Sequence, residues 1–206
     1  MFLRIDDVSN DTFVSVKKIC DAFSFFPWNI FLSFIPSQIQ KDFIQEFKKY
    51  SQVWFFFHGW DHTKDEFIKK KNIQNISFLE AKNFALETQI NFFWFCPPYN
   101  SFSKETLFLA SLYNYKCLSI DYKSYNLYLK QWYDFSSFKI CKTRYFFNKM
   151  TKERTWYIDE SDIIKNDITH IDFSPDMGIE IHPQHIVTQE DWEKLTFLSS
   201  LLLWKK

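Results

Sequence analysis

Short apolar runs alternate with helix-patterned segments along most of this chain, and no other feature narrows its possible architectures as much. Phe2 to Val8 reads as a short buried strand. Residues 12 to 26 follow with apolar side chains at helical spacing (Phe13, Val16, Ile19, Cys20, Phe23) and Asp11 as the N-cap. Pro27 stops that helix, Asn29 to Ile35 forms a second strand closed by Pro36, and Ser37 caps a helix running to about Tyr50. Val53 to Phe57 is a third strand, and Ser77 to Gln89 is a helix whose Ser77 and Glu80 make a capping-box pattern. Asn91 to Phe95 is a fourth strand, Ser103 caps a helix to about Tyr113, and Lys116 to Ile120 is a fifth strand. From 121 to 160 the pattern loosens: Phe138 to Phe147 holds one or two strands, and Ser161 to Asn166 a short helix. Gly178 to His182 is a strand, and a last helix starts at Thr188 or Gln189 and runs to about Leu203. Such alternation implies a parallel sheet or barrel with helices outside. Without a repeat, linker or low-complexity segment, residues 1–206 are expected to form one α/β domain.

Composition removes several function classes. Formal net charge is zero and no basic block stands out, which argues against a nucleic-acid surface. The only glycines are Gly59 and Gly178, so neither a GxGxxG nor a GxxxxGK[ST] phosphate loop exists. Cys20, Cys96, Cys117 and Cys141 show no CxxC spacing, which fits a reducing compartment and ordinary buried roles. The stretch from Leu195 to Trp204 is too short to span a bilayer and is broken by Thr196, Ser199 and Ser200. The start at Met1 lacks a long apolar signal region, so a cytoplasmic protein without a membrane span is expected.

The third strand ends abruptly in His58-Gly59-Trp60-Asp61-His62. If residues 59 to 62 turn into a helix-like loop, the i, i+4 spacing puts both imidazoles on one side, where they can bind a divalent transition metal. Taken alone, the pair reads equally as two unrelated loop histidines. Other strands end in chemistry too: Asp6-Asp7 after the first, Pro97-Pro98-Tyr99 after the fourth, and His182 after the last. Ligands of parallel α/β folds sit beyond the C-terminal ends of strands, and a core needs none of these groups at its rim. Their recurrence there favours the metal reading.

In this order the residues resemble the polysaccharide deacetylase superfamily (NodB-homology, carbohydrate esterase family 4). Its motifs are an Asp-Asp pair, His-(Ser/Thr)-x-x-His, Arg-x-Pro-(Tyr/Phe) and Leu-x-Leu-His, carried on a distorted (β/α)7 barrel. Here they read Asp6-Asp7, His58-x-x-x-His62, Pro97-Pro98-Tyr99 and Ile179-x-Ile181-His182. The resemblance implies that Asp7, His58 and His62 hold a divalent metal, Zn2+ first among first-row ions, leaving an open position for water or a substrate oxygen. It also implies Asp6 as general base, His182 as general acid, and the Tyr99 backbone N–H as oxyanion donor. Trp60 and Pro98 would contact a carbohydrate or acylated amino-sugar substrate, Trp60 by stacking on a ring, although core packing suits a tryptophan equally. His170 and His185 read as surface or structural.

Two departures stand out. Gly59 replaces the Ser/Thr of the histidine motif, which removes a hydroxyl that braces the loop, and Cys96 stands where the arginine partner of the base is expected. Arg4, two residues before Asp6 on the same strand face, is a substitute for that arginine. The aspartate that tunes the acid histidine has Glu180, Asp172 and Asp176 as candidate counterparts. Removal of an N-acyl group, acetyl above all, from an amino sugar or glycan precursor is the leading expectation. A non-catalytic carbohydrate-binding or assembly protein on the same fold is the alternative, and a thiol hydrolase using Cys96 is a third.

Overall fold

In the computed structural model, seven parallel strands close into a barrel in the order β1-β2-β3-β4-β5-β6-β7. The structure describes residues 2–121 apart from 26, 28, 93 and 116, then 139–146, 177–186, 188–193 and 195–196, the backbone alone at 2, 100, 117–121, 139–146 and 177–179. The strands are β1 Phe2–Val8, β2 Asn29–Phe34, β3 Val53–Phe57, β4 Trp94–Phe95, β5 Cys117–Asp121, β6 Lys139–Phe146 and β7 Met177–Ile181. Each pairs with its sequence neighbour, and β7 returns to β1 with Arg4 opposite Glu180. Helices α1 Phe13–Phe23, α2 Lys41–Phe47, α3 Lys71–Thr88 and α4 Lys104–Leu112 lie along the first half of the chain. Parallel neighbours need such crossovers, because a tight turn cannot bring the chain back to the same end.

The period-2 alternation of strands divides the interior into two layers. Ile30, Leu32 and Phe34 of β2, Phe57 of β3 and Phe95 of β4 join Val16, Ile19, Phe47, Phe78, Ala81 and Leu109 from the helices in the main core. The alternate positions Phe31, Phe56 and Cys96, with Trp94 packed against them, form a separate cluster inside the barrel. There Phe31 and Phe56 stack at 4.6 Å between ring centroids, and Phe56 and Trp94 at 4.9 Å. The barrel is filled rather than hollow at this level, so a site has room only above it, at the strand ends.

Several sequence-derived boundaries shift, each for a local reason. The N-cap of α1 is Thr12, not Asp11, and its hydroxyl is engaged by Ser9 N and by Asp7 O rather than by the helix. Pro36–Gln38 forms a 3-10 turn, and the Ser37 hydroxyl donates to Trp60 O, so α2 begins at Lys41 and ends at Phe47. Helix α3 starts at Lys71, which leaves Ser77 and Glu80 in its interior instead of at a cap. Strand β4 is two residues long, shorter than expected. At Ser103 the capping box is present as expected, with Thr106 as the reciprocal partner. The 139–146 segment is a single strand. The helix expected at 161–166 lies outside the described residues, as does the continuation past 196 of the last helix, which begins at 189.

Candidate metal centre

Consecutive strand residues point to opposite faces, so Asp6 and Asp7 would not share a site on a regular strand. A bulge resolves this. Pairing runs Ile5 to Leu32 and resumes at Val8 to Phe34, and Asp7 adopts a left-handed φ of 55°. The extra residue turns both carboxylates toward the barrel mouth, a common use of bulges beside functional sites. Thr12 Oγ1 fixes the turn by donating to Asp7 O at 2.8 Å.

After β3, His58 N donates to Phe34 O at 2.9 Å and extends the ladder by one residue. The chain then leaves through Gly59 (φ 79°) and reaches His62 (φ 56°), a strained loop rather than the helix-like turn expected. After β4, Cys96 N donates to Phe57 O at 2.9 Å, and Pro97-Pro98 leads into Tyr99, also left-handed at φ 55°. Left-handed backbone at non-glycine residues costs energy and persists where surrounding structure imposes it, often at functional sites. Here it falls on Asp7, His62 and Tyr99, and among the described residues otherwise only on Gln89 and Asn114, where helices α3 and α4 end.

The three expected ligands converge. His62 Nε2 lies 2.8 Å from Asp7 Oδ1, His58 Nε2 lies 3.3 Å from the same oxygen, and the two imidazole Nε2 atoms are 3.2 Å apart. Ligand atoms about 2.1 Å from a shared ion are about 3.0 Å apart at octahedral angles and about 3.4 Å apart at tetrahedral ones. The triangle matches that spacing. Its hydrogen-bond pattern matches as well: His58 Nδ1 sits 2.7 Å from Cys96 O, a carbonyl that can only accept, so Nδ1 carries a hydrogen and Nε2 is the atom left for a proton or a metal ion. Asp7 Oδ1 is buried and takes no hydrogen bond from any other described group, while Oδ2 accepts from Gln184 Nε2. Lone pairs crowded at these distances repel unless a cation or proton lies among them. Burial, the largest influence, would raise the Asp7 pKa, yet His58 and His62 hold it well below the usual carboxylate range. Burial likewise lowers the His58 pKa but is outweighed by Cys96, Asp6 and Asp7, so the group is raised well above its ordinary value. A field that strong toward a proton also attracts a divalent ion, and two nitrogens with one carboxylate oxygen suit a first-row metal such as Zn2+.

Beneath this triangle lies a buried charge network. Arg4 Nη2 bonds Asp6 Oδ2 at 2.7 Å and also pairs with Glu180 Oε2, all three side chains being 1–2% exposed. The substitution read from the sequence is thus realised: Arg4, from β1, pairs with Asp6. Burial raises the Asp6 pKa, but Arg4, His58 and His182 bring it down to about 2, so the carboxylate stays anionic. Its Oδ1 is buried without a hydrogen-bond partner among the described residues. Cys96 Sγ lies 3.9 Å from Asp6 Oδ2, and burial pushes its thiol pKa up, which leaves a neutral thiol where a nucleophile would need a thiolate. The thiol-hydrolase alternative loses its footing there.

His182 Nε2 is 3.8 Å from both Asp7 Oδ2 and Glu180 Oε1. Burial lowers its pKa despite Asp6 and Asp7. Glu180, expected to support a charged imidazolium, presents Oε1 to His182 while its Oε2 pairs with Arg4. His185 is buried and packs against the His182 ring, tilted by 32° with centroids 5.4 Å apart, a structural role rather than a surface one. His170, Asp172 and Asp176 lie outside the described residues.

Asp6, Asp7, His58, His62 and His182 therefore meet at one mouth. Tyr99 packs its ring on His62 at 5.0 Å, and its N–H, in the first turn of a 3-10 segment, has no intrahelical acceptor. Trp60 is half-buried against the main core, and Pro98 is buried beside Gly59. Sequence reasoning missed Gln184, which orients Asp7, and Glu66, which accepts from the Trp60 and His62 backbone. Gln184 sits two residues after His182, the one local hint; nothing local marks Glu66.

No family model and no curated protein matches the sequence. Solved structures do match. A family 4 carbohydrate esterase from Streptomyces lividans, solved with acetate, aligns at 10% identity and TM-score 0.62 over 100% of this chain and 88% of that one. A carbohydrate esterase family 4 pseudoenzyme from Bacillus anthracis aligns at 11% identity and TM-score 0.57 over 98% of this chain and 60% of that one. The Streptococcus pyogenes deacetylase PplD, also solved with acetate, aligns at 17% identity and TM-score 0.49 over 57% of this chain and 54% of that one. The chain thus spans less than two thirds of the length of the last two. No helix among the described residues is long and apolar enough to cross a membrane. With its seven parallel strands closed in sequence order, the chain shares the barrel fold of these family 4 carbohydrate esterase structures, at 10–11% sequence identity.

Proposed function

We propose that the protein is a metal-dependent amide hydrolase that removes an acyl group, most simply acetyl, from the nitrogen of an amino sugar or glycan precursor. The observation that carries this reading is the convergence of Asp7 Oδ1, His58 Nε2 and His62 Nε2 within 3.3 Å of one another. A divalent ion held by these three atoms would supply Lewis-acid polarisation and lower the pKa of water toward neutrality. Asp6, anionic and with a buried unshared oxygen, accepts the proton of the attacking water. The water oxygen bonds to the acyl carbon, and the Tyr99 N–H donates to the carbonyl oxygen as it gains charge. When the C–N bond breaks, His182 delivers a proton to the departing nitrogen. Burial makes its protonated form a stronger acid, and the adjacent Asp7 and Glu180 carboxylates draw a proton to it. Trp60 and Pro98 flank the same loops and would meet the sugar.

A second reading, a carbohydrate-binding protein without turnover, is favoured by Cys96 in place of the motif arginine and by the pseudoenzyme among structures of this fold. Acetate release from N-acetylated sugars under a panel of divalent ions separates the two. Release that survives in wild type but is lost in Asp6→Asn, with metal content unchanged, supports the hydrolase. Asp7→Ala and His58→Ala are expected to lose bound metal altogether. Glycan binding without release under any ion would overturn the catalytic reading.

A further inference from the structure

We propose that Glu66 is the positioning residue of this centre: its carboxylate sits inside the loop between the two histidines and holds the backbone that sets His62. The inference rests on the metal reading above. Glu66 is 3% exposed, an unusual place for a carboxylate in a segment whose neighbours Lys64 and Asp65 are exposed. Its oxygens are used separately. Oε1 accepts from Trp60 N at 2.6 Å and Oε2 accepts from His62 N at 3.0 Å, so the carboxylate spans the loop like a clamp. The Ser77 side chain, inside α3, lies beside the same carboxylate.

Gly59 completes the device. A Cβ at that position would come within 2.6 Å of Glu66 Oε2 and 2.7 Å of Pro98 Cγ, and the residue has φ +79°. A side chain there would crowd both the Glu66 carboxylate and the Pro98 ring, on a backbone already left-handed. The hydroxyl brace missing at Gly59 is thereby replaced by a brace from below, in which the glycine makes room for the acid. Because His62 N is itself bonded, its left-handed backbone and the direction of its ring depend directly on Glu66. Partners that orient metal ligands from outside commonly matter tenfold or more to affinity.

The substitution Glu66→Gln keeps the shape but presents an NH2 group to one of the two backbone donors, which opens one jaw of the clamp. Calorimetric titration with Zn2+ is expected to show affinity weakened on the order of 10- to 100-fold relative to wild type. Gly59→Ala, which crowds the carboxylate and the Pro98 ring and strains the left-handed backbone, is expected to weaken Zn2+ binding in the same range. Asp65→Asn, which removes a neighbouring exposed charge, is expected to leave it unchanged. Should Glu66→Gln fail to fold, the shorter Glu66→Asp, which reaches one donor only, carries the same expectation. Wild-type Zn2+ affinity in Glu66→Gln or its substitute, or an equal loss in Asp65→Asn, overturns this inference alone. Absence of Zn2+ binding by the wild-type protein overturns the metal reading and this inference with it.

Discussion

Between Arg4 and Asp6 a single residue intervenes on β1, so both side chains enter the barrel on one face, and Glu180 meets them from the paired position on β7. One guanidinium thus serves two carboxylates at almost no exposure to water. Removing one partner from a buried ion network costs about 3–5 kcal/mol, because the charges left behind have neither water nor a counter-ion. Arg4→Met is therefore expected to lower unfolding free energy by about that amount in urea titrations. Cys96 presents the opposite case. The Asp6 oxygen nearest it, Oδ2, is already paired with Arg4, and burial raises the pKa of its thiol, while burial, aided by Asp21, pushes Cys20 up to about 12. Both thiols stay protonated well above neutral pH in the folded state. Alkylation of native protein at pH 8 followed by peptide mapping should leave both unmodified, and both should react after unfolding. Labelling of Cys96 in the native state would mean that the barrel interior opens.

At the level of elements, what the sequence revealed depended on how local the controlling contact was. Strand β3 and its histidines were legible because five apolar residues end at a polar group, and α4 was legible because Ser103 caps its own helix. Helix α3 begins six residues before Ser77, which imitates a cap in the sequence but lies buried inside the helix beside Glu66. Ser37 imitated a cap as well, but it serves Trp60 O, 23 positions away. The Asp6-Asp7 pair was visible as a motif, whereas the bulge that lets both acids face one way was not, since it depends on pairing with β2. The α4 cap gives a test at this scale. Ser103 Oγ accepts from Thr106 N and from Gln74 Nε2, joining α4 to α3. Ser103→Ala is expected to cost about 1 kcal/mol, toward 2 if the Gln74 bond adds to the cap. Thermal unfolding followed by circular dichroism reads this loss, and an unchanged midpoint would mean the helix is held by its packed face alone.

The molecule as a whole places its ligands on segments far apart in sequence: Asp7 at the end of β1, His58 and His62 beyond β3, with β2 between them in the barrel. In the unfolded chain these groups do not meet, so an ion that binds them binds the folded barrel preferentially and stabilises it by mass action. At free Zn2+ one hundred times its dissociation constant the gain is about 2.7 kcal/mol. For a domain of this size, each kcal/mol moves the midpoint by about 2–4 °C, which makes the expected rise in Tm about 5–10 °C. Chelation with EDTA should reverse it. The shift is expected to vanish in Asp7→Ala and His62→Ala and to persist in Asp6→Asn, because Asp6 Oδ2 is engaged by Arg4 and lies 3.9 Å from His58 Nε2, beside the triangle and not one of its corners. That contrast distinguishes a site built by the barrel from ions gathered by surface carboxylates, which no single substitution would abolish. A rise of equal size in Asp7→Ala would place the bound ion elsewhere and leave the strand-end acids and imidazoles without their common purpose.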